Sequence, residues 1–305
     1  MSLSRRALLS AVPLAAGAGV LGGAPAPAEA AVRAAIVPPK TWISGVCDPD
    51  PVGFGAWRGS PVGILGMFGD AGLAAQLEQW QFSHTTGFSA DVDLAVGGPI
   101  GVPWAKVAAG SEVAHWKATA AVLRRNWHYR TVYLRFAHEF NGTWMPWSVK
   151  PSEVSAFRTA FRLFATTMRR ELAGHDIKIV LAPNFGTWFY SPDAIWPGAD
   201  VVDVIGVSMY EWTLCDTQDK WKAFLVSSVG PNVWAAYAKR HGRAMAFGEW
   251  GAQSWYFVRG MRAWMATMAG RGPGQLLYDV YLNDNELVLT GATAAQYRAL
   301  RWGRA

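Results

Sequence analysis

Cysteine and histidine are scarce in this chain, with two of the first and six of the second among 305 residues. Two cysteines exclude a multi-disulfide scaffold and leave room for one bridge. In an exported chain Cys47 and Cys215 can pair. They follow the first and sixth expected strands, however, so a bridge requires a loop that arches across. The histidines are scattered without the spacing of zinc ligands, so no metal is expected. Charged residues make up only 16% of the sequence, and the net charge of +6 is spread without a basic block. A nucleic-acid partner would call for a basic patch or a recognised motif. Long apolar runs are lacking too. The stretch from Leu8 to Gly22 is too short to span a membrane, and it lies between Arg5-Arg6 and Ala28-Glu29-Ala30. That order is an export signal of twin-arginine type with its cleavage site, here residues 1–30. Cleavage leaves residues 31–305, the usual size of one barrel domain, expected to be secreted and monomeric. No internal repeat or long linker points to a second domain.

Tryptophan, by contrast, is abundant, at 17 residues. Eight apolar runs read as strands: Trp42 to Val46, Val62 to Met67, Asp93 to Val96, Thr131 to Phe136, Ile177 to Ala182, Val201 to Val207, Ala244 to Phe247 and Leu276 to Leu282. Helical spacing is clearest from Ser152 to Leu172, where Val154, Phe157, Phe161, Phe164 and Met168 recur every three or four residues. Further helices are expected at Leu73 to Trp80, Glu112 to Arg125, Val233 to Arg240 and Val258 to Met268. Strands alternating with helices predict an α/β fold, a single-domain (β/α)8 TIM barrel.

Two of the strands run into a glutamate. The fourth leads to Ala137-His138-Glu139-Phe140-Asn141-Gly142-Thr143-Trp144-Met145-Pro146-Trp147, and the seventh to Gly248-Glu249-Trp250-Gly251. The C-terminal ends of the strands are where barrel enzymes keep their chemistry, and strands four and seven face each other over the mouth. A pair of carboxylates there suits glycosidic hydrolysis: one protonates the leaving oxygen while the other attacks or activates water. Indole faces stack on the apolar faces of pyranose rings.

The pattern Arg135, His138-Glu139, Asn141-Gly142, Trp144 and Pro146-Trp147, followed by Gly248-Glu249, resembles glycoside hydrolase family 26. That family holds mainly β-mannanases, with mixed-linkage β-glucanases and β-1,3-xylanases beside them, in the clan of retaining (β/α)8 hydrolases. The resemblance implies Glu139 as acid/base, Glu249 as nucleophile, a polysaccharide or oligosaccharide substrate and no cofactor. It also implies that Arg135 helps keep the nucleophile ionised and that the hydroxyl of Tyr210 reaches it. Ser208 is a departure, since mannanases of the family often carry an aspartate two residues before this tyrosine.

Other assignments stay open between binding and structure. His138 either orients Glu139 toward the sugar or is a satisfied core histidine. Trp144 and Trp147 are candidate stacking platforms, with Trp188, Trp212 and Trp250 weaker ones, and each is otherwise core packing. Asn141 shapes the loop after the acid. Its N-glycosylation sequence, Asn141-Gly142-Thr143, is read as coincidence. Asp70, Asn184 and Asn283 follow strands two, five and eight, and either bind sugar hydroxyls or cap turns. Among β-linked polymers mannan ranks first, ahead of glucan or xylan and of an envelope or exopolysaccharide glycan. A barrel that binds glycan without cleaving it is the rival from another class. A 2-fluoro-glycoside separates the two, because only a working nucleophile becomes labelled.

Overall fold

Parallel strands, each buried on both faces, need helices around them, and closing the sheet removes its edges. The computed structural model describes residues 42–69, 88–186, 188–211, 213–284, 287–300 and 302. Its strands are β1 Ile43–Cys47, β2 Ile64–Gly69, β3 Asp91–Val96, β4 Val132–Phe136, β5 Ile177–Leu181, β6 Val204–Tyr210, β7 Ala244–Gly251 and β8 Leu276–Leu282. They form a closed barrel in sequence order, β8 pairing back onto β1, with every pair parallel. This is the single-domain (β/α)8 barrel that the alternation predicts.

Period-two alternation sorts each strand's side chains between two cores. Ile43, Ile64, Tyr133, Val180, Val204, Ala246, Tyr278 and Val280 fill the barrel interior. On β4, Val132, Leu134 and Phe136 face outward into the larger core beneath the helices. The helix Val154–Glu171 presents Phe157, Phe161, Phe164 and Met168, all buried, to that layer. Phe136 stacks on Phe164 with ring centroids 4.5 Å apart. With Phe136 directed outward, its neighbour Arg135 must point into the barrel.

All eight expected strands are present, displaced by a few residues at most. The largest difference is in β7, which continues to Gly251, so that Glu249 lies within the strand rather than after it. Register shifts accompany this between Gly206 and Ser208 on β6 and between Phe247 and Trp250 on β7. Such irregularities near barrel rims re-aim side chains. Four expected helices occur as Val113–Arg125, Val154–Glu171, Pro231–Arg240 and Trp255–Met268. Leu73 to Trp80 lies outside the described residues, as do the export signal and Asp70. Three helices of eight or nine residues, Pro51–Arg58, Gln218–Val226 and Gly291–Ala299, escape the periodicity. They are too short to repeat an apolar stripe. Cys47 and Cys215 are not joined. Cys215 is buried after β6, where its thiol lies 3.3 Å from the Thr213 carbonyl oxygen.

Candidate active site

The turn that carries Glu139 is strained and clamped. Ala137 and Glu139 hold positive φ, at 47° and 54°, a region that L-residues other than Asn and Asp seldom adopt. Neighbouring strands hold the turn in place: the Ala137 amide donates to the Val96 carbonyl at 2.9 Å and the Glu139 amide to that of Ala182 at 2.7 Å. A backbone so over-determined keeps a conformation the free chain would leave, a frequent feature of active sites. The carboxylate of Glu139 is 3% exposed. It accepts the Trp144 indole N–H at 2.7 Å on Oε2 and the Asn184 amide at 3.1 Å on Oε1.

Glu249 sits in a different electrostatic setting. It is buried on β7 opposite Ser208 of β6. Arg135 Nη1 donates to its Oε1 at 2.7 Å and the Tyr210 hydroxyl to its Oε2 at 2.5 Å. Arg135 reaches across from β4, passing so close to Gly248 that a Cβ there would lie 2.7 Å from Arg135 Cδ. The same guanidinium donates through Nε to Asp93 Oδ1 on β3, and Asp93 Oδ2 accepts the Tyr278 hydroxyl at 2.5 Å. The result is a chain of five groups, Tyr278–Asp93–Arg135–Glu249–Tyr210, all buried except the half-buried Tyr210.

Charge within this chain is unequally shared. Burial pushes the Asp93 carboxyl up to about 6 against the opposing pull of Arg135 and Tyr278. Burial works against the charge on Arg135, but Asp93 and Glu249 outweigh it and raise its pKa. A guanidinium in contact favours the ionised form of Glu249. The neighbours of Glu139 named above, Trp144 and Asn184, are neutral.

Two stability predictions follow from these placements. Arg135→Met leaves Asp93 and Glu249 buried without their counter-charge, and should cost about 3–5 kcal/mol at neutral pH, measured by denaturant unfolding. Part of that loss should return as the carboxylates protonate on acidification. For Asp93, the folded value of about 6 lies above the ordinary carboxyl value of 3.8, so folding takes up a proton between these pH values. The folded state therefore loses stability from this group as pH rises through that window. Asp93→Asn should flatten the corresponding fall in melting temperature, and an unchanged slope would contradict the assignment.

The structure gathers most of the residues expected at the site and reassigns others. His138 is buried, its ring edge-on to Phe68 and Trp147 at 5.8 and 5.3 Å. Trp147, 5% exposed, donates its indole N–H to the His138 carbonyl at 2.8 Å and forms wall rather than an open platform. Asn141 is buried, and its amide is committed to backbone: Nδ2 donates to the carbonyls of Asn184 and Gly186, while Oδ1 accepts the Asn184 amide. It thus fixes Asn184, which contacts Glu139 directly. Trp250 is not at the mouth. It follows Glu249 on the strand, so it faces the helices, where it donates to Asp279 at 2.7 Å and packs on Tyr281. Asn283 braces its loop through Asp48 and Leu289. Trp188 packs against Phe140 and Trp234. Trp212 lies outside the described residues.

Asp93, Tyr278 and Glu211 join the site's framework without having been singled out in the sequence. Glu211, next to Tyr210, accepts the amides of Cys215, Gln253 and Ser254 together with the Ser254 hydroxyl. It ties the loop after β6 to the loop after β7. The alternating carboxylates of Asp91-Val92-Asp93 were the available signal, because an ionisable side chain on an inner strand position requires a partner.

Comparison with known proteins agrees with this architecture. The family model described as glycosyl hydrolase family 26 matches residues 108–257, a span that includes both glutamates. Among solved structures, GH26C from Muricauda sp. is similar with a TM-score of 0.61 at 13% identity, covering 85% of this chain and 84% of its own. A GH26 β-mannanase from Bacteroides ovatus gives 0.55 at 14% identity, covering 86% and 87%. A modular endo-β-1,4-mannanase from Cellulomonas fimi gives 0.62 at 14% identity, covering 85% and 70%. At such identities the likeness establishes the fold. No curated protein sequence matches the chain. Among the described residues no cluster of three or more His, Cys, Asp or Glu is arranged to hold a metal, and no helix is long and apolar enough to cross a membrane.

Proposed function

The chain belongs to glycosyl hydrolase family 26, and on that premise we propose that it is an exported, endo-acting enzyme that cleaves a β-linked polysaccharide, mannan first, by double displacement. The observation that carries this reading is the unequal environment of the two glutamates. Glu249 faces the Arg135 guanidinium and the Tyr210 hydroxyl, the setting of an ionised nucleophile. Glu139 is buried against the neutral Trp144 and Asn184, the setting of a group that exchanges a proton.

In the first step Glu249 attacks the anomeric carbon while Glu139 protonates the departing glycosidic oxygen, so the glycosidic bond breaks as a glycosyl ester forms. In the second, Glu139 removes a proton from water, whose oxygen attacks the same carbon and releases Glu249. Retention follows from two inversions and requires carboxyl groups about 5–5.5 Å apart. Tyr210 and Arg135 together fix both oxygens of the nucleophile before substrate arrives, so little reorganisation remains for the reaction itself.

The Bacteroides ovatus and Cellulomonas fimi proteins are mannanases, and this supports mannan as the first substrate. Ser208, buried beside Glu249, alters one wall, and a single unpaired polar group is worth about 1–3 kcal/mol, enough to exclude an epimer. Glucan or xylan therefore ranks second and an envelope glycan third. Export is supported by the Arg5-Arg6 leader. The purified chain should release oligosaccharides from a β-linked polymer in a polysaccharide panel read by mass spectrometry. Cleavage of an α-linked polymer alone would overturn the substrate reading.

A further inference from the structure

We infer that Asp93 is a positioning residue for Glu249 that acts through Arg135; the inference rests on Glu249 being the nucleophile. A guanidinium is planar and rigid, so anchoring one nitrogen fixes where the others point. Asp93 anchors Nε, and this aims Nη1 at Glu249 Oε1. The third nitrogen, Nη2, is buried without a hydrogen-bond partner. Among the described residues, then, the guanidinium's hydrogen bonds go to Asp93 and Glu249, and the Phe68 ring, with its centroid 5.5 Å from Cζ, supplies a less directional contact. Remove Asp93 and the remaining hydrogen bond is the one to Glu249 itself, about which the guanidinium pivots. Tyr278, donating to Asp93 Oδ2 from β8, keeps the anchor from swinging. The interior therefore forms a brace running from β8 through β3 and β4 to β7, and its far end sets one oxygen of the nucleophile.

Asp93 also divides the guanidinium's charge. Facing it are Arg135 and Tyr133 from β4, Tyr278 from β8 and Glu249 from β7, with Asp91 two residues away on its own strand. When Asp93 is ionised, one cation serves two carboxylates. Below about pH 6 burial leaves Asp93 protonated, and the whole positive charge then serves Glu249.

The test uses dinitrophenyl β-mannobioside, whose leaving group departs without a proton, beside the polysaccharide that the wild type cleaves. Asp93→Ala should lose about 10²-fold in kcat through misplacement of the nucleophile. KM should stay within about threefold. Asp93→Asn, which retains size and an acceptor oxygen, should lose less, and its kcat/KM should approach that of the wild type below about pH 6, where Asp93 is itself neutral. Both variants should slow activated and unactivated leaving groups equally, because proton donation by Glu139 is untouched. Tyr278→Phe, which deletes one hydroxyl, should show a smaller loss of the same kind and serves as the test if Asp93→Ala does not fold. Near-wild-type kcat in Asp93→Ala and Tyr278→Phe, or an Asp93→Asn loss that does not change with pH, with Glu249→Ala inactive, would overturn the inference alone. Activity surviving in Glu249→Ala would instead remove the nucleophile reading, and the inference with it.

Discussion

Replacing Glu249 by alanine is expected to lower turnover by about 10⁴-fold or more, since no other group can form the glycosyl ester. Azide should restore activity on an activated aryl β-glycoside, and the product should be the α-glycosyl azide. The small anion fills the space vacated by the carboxylate and attacks once, so configuration inverts. The variant should fold, because Arg135 keeps Asp93 as its counter-charge and loses only the second of two carboxylates. A wild-type melting temperature together with lost activity would separate chemistry from structure. Product configuration is read by proton NMR. A β-glycosyl azide from this variant would place the nucleophile elsewhere.

Glu139→Ala should behave in the complementary way. Polysaccharide cleavage should fall by about 10²–10⁴-fold, the usual worth of a positioned proton donor. Dinitrophenyl glycosides should form the glycosyl-enzyme at nearly the wild-type rate, because their leaving group needs no proton. Hydrolysis of that intermediate should become limiting without a base to activate water. Azide, which needs no base, should then accelerate turnover and give a β-glycosyl azide of retained configuration. Equal losses on good and poor leaving groups would contradict the assignment.

How much of this was legible beforehand depends on distance along the chain. Glu139 and Glu249 are readable because an apolar run leads into each carboxylate, a local signal. Whether Arg135 points in or out is not local. Alternation gives two answers, and the choice falls only once Phe136 is seen packed on Phe164. The misplacement of Trp250 was avoidable in principle, since a residue that directs Glu249 inward must direct its neighbour outward. Asn141 misled for another reason. A polar side chain beside an acid looks free for a sugar, whereas this one spends its amide on the backbone of the loop after β5. The alternation Asp91-Val92-Asp93 marks Asp93 as needing a partner, but not which, because Arg135 and Tyr278 lie 42 and 185 positions away. The extension of β7 through Glu249 was obscured by Gly248, which reads as a strand end but in the barrel makes room for Arg135.

The central claim is that Glu249 forms a covalent bond to the sugar while Arg135 and Tyr210 hold it in place. Its most direct test is incubation of the purified chain with 2-deoxy-2-fluoro-β-mannosyl fluoride, followed by peptide mapping in the mass spectrometer. The fluorine slows both steps, and the fluoride leaving group speeds the first, so a glycosyl-enzyme accumulates. A single adduct on the peptide that carries Glu249, formed as activity is lost, is expected. Label on any other residue, or hydrolysis of the polysaccharide that continues unlabelled at full rate, would contradict it.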